Sequence, residues 1–170
     1  MSVPLVPTVV AIVALLSCSA FFSSSETALF SLSREWLAEA AATDPRAAAV
    51  EDALEDPHRL LVTLLVGNNV VNITLSSLLT ALLVDRVESG LAVLLTTVVA
   101  STVILVAGEI VPKSYGLGHA QTFSLSVVRP LRYVGLVLYP AVWLFDLLTR
   151  ALSDRIGGQP SIERTYDEVE

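Results

Sequence analysis

Between Leu91 and Ala107 the chain contains no charged residue, and two further stretches, Leu5–Phe22 and Leu60–Val84, have the same character. A hydrocarbon layer about 30 Å thick is crossed by about 20 helical residues. Inside that layer no water is available to backbone N–H and C=O groups, so a spanning segment must satisfy them itself. These runs therefore read as membrane helices. Composition agrees. The share of hydrophobic residues is 54% and that of charged residues 16%, with a mean hydropathy of +0.69, more apolar than a soluble domain. The expected fold class is an all-α integral membrane domain.

Three spans are expected, at about 5–33, 60–84 and 91–112. The first lacks a basic leader and does not stop at a small-residue cleavage site, so it reads as a retained span rather than a signal peptide. The segment Arg34–Arg59 is polar, Ala-rich and acidic, with "TDP" and "EDPH" as breakers. It fits two short helices outside the membrane, Arg34–Ala42 and Arg46–Glu55, the second entered after Pro45. Only "DRVESG" separates the second and third spans, which makes them an antiparallel hairpin. After Pro112, "KSYGLGHAQ" reads as a Gly-rich turn. The stretch 122–152 carries Pro130, Pro140 and interspersed charges, and its longest charge-free piece, Tyr133–Phe145, falls short of a span. It is expected to form amphipathic juxtamembrane helices lying along the bilayer surface; a fourth span is the alternative. Residues 153–170 read as an acidic connector.

Charge and cysteine content exclude several classes. Net charge is −7, so there is no basic surface for nucleic acid. The single cysteine, Cys18, excludes a disulfide within the chain. No nucleotide-loop, nucleophile-elbow or zinc-protease pattern occurs, and no enzymatic activity is expected. Nine of the ten basic residues are arginine, a bias that a salt-rich cytoplasm or a GC-rich genome would each produce. Basic residues near the span ends favour the loop after the first span and the segment after the third. This bias places the N-terminus outside and the C-terminus in the cytoplasm of a prokaryotic plasma membrane.

Each span interrupts its apolar run with oxygen-bearing residues: Ser23 to Thr27 in the first, "GNNVVN" from Gly67 in the second, Gly108 and Glu109 in the third. Ser23 lies about 16 Å in from Arg34, and Asn68 about 13 Å in from Arg59. Taken singly, such Ser and Asn residues act as hydrogen-bond glue between helices. Glu109 is different. A charged side chain in the bilayer costs about 2.5–3.5 kcal/mol on insertion scales and marks a functional site by default. Its plainer reading is an ion pair with Lys113, one turn on. Read together, the hydroxyls, amide oxygens, freed glycine carbonyl and single carboxylate are hard ligands suited to Mg²⁺ or Ca²⁺.

The motifs "FFSSSETALFSLSR", "LLVGNNVVNI" and "GEIVPKSYG", in that order, resemble the membrane domain of the CNNM/CorC (cyclin-M) family of magnesium transporters. The resemblance covers Leu5 to about Leu152. It implies a homodimer in the lipid bilayer with three membrane helices per subunit, and a juxtamembrane belt near the cytoplasmic face. It also implies an inward-open Mg²⁺ site between the spans, with Na⁺ a candidate coupling ion. By motif position its metal ligands fall on Ser23, Gly67, Asn68, Asn72 and Glu109; Asn69 is not among them. Family members continue into nucleotide-binding regulatory modules, so this chain is expected to be an isolated membrane domain. The alternative function is a membrane-embedded Mg²⁺ sensor that binds the ion without moving it.

Overall fold

The computed structural model describes residues 4–84 and 89–156. The hairpin connection around Arg86 and the acidic tail from Gly157 lie outside the described residues. Helix α1 spans Leu5–Phe30, α2 Arg34–Ala41, α3 Pro45–Leu54 and α4 Pro57–Val84. Then come α5, Ser89–Val103, a π-helical segment, Ile104–Ile110, and α6, Val111–Gly118, in one continuous rod; α7 follows at Ala120–Ile156. The all-α membrane class is as the sequence led one to expect.

Local chemistry sets the breaks. Ser33 accepts from the Trp36 N–H at 3.3 Å and starts α2. Asp44 accepts from the Arg46 N–H at 2.8 Å, with Pro45 in the first turn, and starts α3. Asp56 accepts from the Arg59 N–H at 3.0 Å where α4 begins at Pro57. The two breakers of the polar loop are thus Asp-Pro caps: the Asp takes an orphan N–H, and the Pro tolerates having none.

The rest corrects the expectation in three places. The segment after Pro112 is helical to Gly118 rather than a turn, and the chain bends only at His119. The stretch 122–152 is not a set of separate helices. It belongs to one 37-residue helix that passes through both Pro130 and Pro140. Each proline removes a single rung of the ladder, and buried Val127, Val128 and Leu131 hold the helix down on both sides of Pro130. Finally, four helices rather than three are long and apolar enough to cross a membrane: Leu5–Phe30, Pro57–Val84, Val93–Gly118 and Ala120–Phe145. The fourth meets its partners at one end of the bundle. Arg59 stacks on the Tyr139 ring at 5.4 Å, and Gly135 and Leu138 lie against Thr63 and Gly67.

Helix α1 is the hub, packed by α4, α6, the π-segment and α7. The buried apolar core joins Phe22 and Leu29 of α1, Leu37 of α2, Ala47 and Val50 of α3, Leu64 of α4, and the three α7 residues. It gathers at the end that carries the polar α2–α3 pair. That location has a physical reason: burial is driven where water is present, whereas lipid tails are as apolar as the side chains. Toward the lipid, Val10, Val13, Ile73, Leu94, Val98 and Leu105 stay exposed. There the helices are joined by small residues. A Cβ on Gly116 would collide with the Ser24 carbonyl oxygen and lie 3.1 Å from its carbonyl carbon, so α6 crosses α1 backbone to backbone.

Candidate cation site

The polar patches of all three rods meet at one depth. Ser19, fully buried in α1, is the focus. Its hydroxyl lies 2.7 Å from the Asn72 amide oxygen, 3.2 Å from that of Asn68, and 3.5 Å from the Gly108 carbonyl. Asn72 turns its other end outward, donating from Nδ2 to Glu109 Oε1 at 3.2 Å. Amides and carboxylate are half-buried.

Hydrogen count decides what this arrangement can do. A serine hydroxyl carries one hydrogen, yet three acceptor oxygens crowd it. At most one receives it, and the remaining lone pairs face one another. A cation among these oxygens would turn that repulsion into coordination. Ser23 adds to the imbalance. Ser17, Ser24 and Thr27 bond their hydroxyls back onto carbonyls of their own helix, the default in an apolar setting. The Ser23 hydroxyl, one turn from Ser19 and fully buried, has no hydrogen-bond partner. Among the described residues no three His, Cys, Asp or Glu side chains gather. The donor set is therefore hydroxyl, amide, carbonyl and one carboxylate, which fits a hard ion and not a soft one.

The π-segment supplies the backbone oxygen. Pro112 has no N–H to offer the Gly108 carbonyl four residues back. The ladder widens instead, and the Val111 N–H bonds to Val106 O, five back. Such single-turn π insertions expose carbonyls and recur at functional sites. Gly108 is also required sterically, since a Cβ there would lie 2.7 Å from the Ser19 hydroxyl.

Of the sequence-derived ligands, Asn68, Asn72 and Glu109 fall directly into the cluster, and Ser23 lies a turn away on the Ser19 face of α1. Gly67 serves another purpose. Helix α4 continues regularly through it, and a Cβ would meet the Phe22 ring at 2.6 Å and Leu138 at 3.2 Å, so its visible role is close packing. Asn69 bonds to Leu65 O of its own helix and is exposed. Lys113 pairs at 3.3 Å with Glu26, one turn beyond the cluster, and ties α6 to α1 there. Sequence reasoning missed Ser19. The available signal was its four-residue spacing from Ser23, the same spacing that links Asn68 to Asn72.

A family model described as the cyclin M transmembrane N-terminal domain matches residues 10–170. The chain is 33% identical, over 92% of its length, to a UPF0053 protein of Haemophilus influenzae, of which it covers 37%. It is 34% identical, over 82% of its length, to the UPF0053 inner membrane protein YfjD of Escherichia coli, covering 32% of that protein. A chloroplastic DUF21 domain-containing protein of Arabidopsis thaliana is 34% identical over 92% of the chain, with 24% of the relative covered. The chain thus spans between a quarter and two fifths of the relatives it matches.

Proposed function

Given that the chain belongs to the cyclin M transmembrane domain family, we propose that it carries Mg²⁺ across the membrane through the cluster of Ser19, Asn68, Asn72, Gly108 and Glu109. The supporting observation is the surplus of acceptor oxygens around one hydroxyl hydrogen. Glu109 supplies the one full charge. Neutral oxygens supply the rest, and Ser23 closes the set from α1. One carboxylate among neutral ligands holds a divalent ion without trapping it, which transport requires. Mg²⁺ gives up water reluctantly, so retained waters complete its octahedron. The N-terminus lies outside and α2 and α3 lie in the cytoplasm. Helix α7 stays against the α2–α3 end of α4, with Gly135 at Thr63 and Tyr139 at Arg59, so it runs along the cytoplasmic face and its far end is cytoplasmic too. Two copies enclose the half-buried polar face that one chain leaves partly open.

The experiment is Mg²⁺ influx into proteoliposomes loaded with a Mg²⁺-sensitive dye, run beside Mg²⁺-dependent thermal stabilisation of the same preparation. Saturable influx with stabilisation supports transport. Stabilisation without influx replaces it with a sensor, and neither signal reduces the polar residues to interhelical glue.

A further inference from the structure

Beyond the oxygen cluster, away from α2 and α3, a groove of about 280 Å³ opens between α4 and α5. Its walls carry five hydroxyls, from Ser76 and Thr80 of α4 and Thr96, Thr97 and Ser101 of α5, with Val93 and Ala100 between them. We propose that this groove is the aqueous outer leg of the ion path, a vestibule that holds a hydrated divalent cation on the far side of the site. The inference rests on the transport reading and adds a route to it.

Register joins the groove to the cluster. Asn68, Asn72, Ser76 and Thr80 recur every fourth residue, so they form one stripe along α4. Ser76 and Thr80 lie about 6 and 12 Å past Asn72 at a rise of about 1.5 Å per residue. On the facing rod, Ser101 precedes Gly108 by two turns, and the π-segment that contains Gly108 and Glu109 begins between them at Ile104. The groove therefore starts where the cluster ends.

Chemistry and size agree. Cavities lined by Leu or Ile stay dry, whereas polar ones of sufficient room hold water. At about 30 Å³ per water, the groove has room for roughly nine waters, more than the six that surround Mg²⁺ in solution. Its hydroxyls can hydrogen-bond those waters in either direction. The lining contains no carboxylate, so a hydrated ion is accommodated without a second trap. Thr80 and Thr97 have their hydrogens on carbonyls of their own helices and so present oxygen lone pairs to whatever enters. The first residues of the π-segment, Ile104 to Ala107, lie between vestibule and site.

The test uses single cysteines in a Cys18→Ser background: Ser76→Cys and Thr97→Cys in the groove, and Val98→Cys on the lipid face as control, since Val98 is exposed outside the groove. Sealed vesicles are treated from each side with a membrane-impermeant, positively charged methanethiosulfonate. The expected result is labelling of both groove cysteines, and not of Val98→Cys, from the side opposite the α2–α3 pair. Labelling should lower Mg²⁺ flux at least tenfold and leave Mg²⁺-dependent thermal stabilisation unchanged. Groove cysteines as unreactive as Val98→Cys would overturn the proposal, whether lipid or a second copy fills the groove. Labelling without loss of flux would overturn it equally. Absence of flux before any label is added defeats the transport reading itself and this route with it.

Discussion

Ser23 offers a test in which two effects of one substitution have opposite signs. Its buried hydroxyl has no partner, and such a group costs about 1–3 kcal/mol. Ser23→Ala should therefore raise the melting temperature in Mg²⁺-free detergent, while shrinking the further rise that Mg²⁺ produces. A hydroxyl serving only as glue would lower the first and leave the second alone. Ser19→Ala removes the oxygen on which Asn68, Asn72 and Gly108 converge, and should weaken Mg²⁺ binding at least tenfold. Asn69→Ala should leave binding within twofold, because that amide serves its own helix. Titrating Mg²⁺ against thermal stability measures all three. The sequence made Asn68, Asn72 and Glu109 legible, since amides and a carboxylate in apolar runs are conspicuous. Ser19 was harder to see, because an isolated serine in a membrane helix usually bonds its own backbone. What separates it from Ser17 is the neighbouring rods, which only the fold reveals.

At the scale of the element, the rods are set by where backbones must touch. Gly116 faces the Ser24 carbonyl, which cannot swing aside, whereas Gly67 faces the tip of the Phe22 ring. Gly116→Ala must push α6 from α1 and should cost about 1–3 kcal/mol; Gly67→Ala should cost less, because a ring tip can move aside where a backbone carbonyl cannot. Thermal unfolding of the two variants in one detergent ranks them, and the reverse order would contradict the packing described. Pro112 was legible as a break but not as a π-segment, because the sequence shows the missing N–H and not which carbonyl the neighbouring Val111 N–H will choose. The continuous α7 was illegible for a related reason: two prolines predict interruption, and only burial of Val127, Val128 and Leu131 against α1 to α4 keeps the helix whole. The Asp44 cap of α3 was half visible as a breaker. Its carboxyl is held below the ordinary aspartate value of 3.8, chiefly by the Arg46 side chain and then by the Arg46 N–H. That cap therefore contributes in full above pH 3.8 and is lost as pH falls through the lowered value.

The whole molecule divides into a water-driven core around α2, α3 and the first third of α7, and a lipid-embedded part held by glycines and polar contacts. Apolar runs announced the second part plainly. The first was hidden, since its core draws on residues from five helices far apart in sequence. A single chain leaves Asn68, Asn72 and Glu109 half-buried, an expensive exposure in lipid. Two copies should therefore be seen in mild detergent and in nanodiscs by mass measurement, and a strictly monomeric mass in both would contradict this. The oxygen cluster remains the claim on which the functional account stands. Glu109→Gln keeps the side chain's shape and its contact with Asn72 while removing the one full charge. The decisive measurement is Mg²⁺ influx into proteoliposomes by the parent and by Glu109→Gln at matched protein content. Saturable influx in the parent and at least a tenfold loss in the variant is the predicted result; equal influx in both would contradict the account.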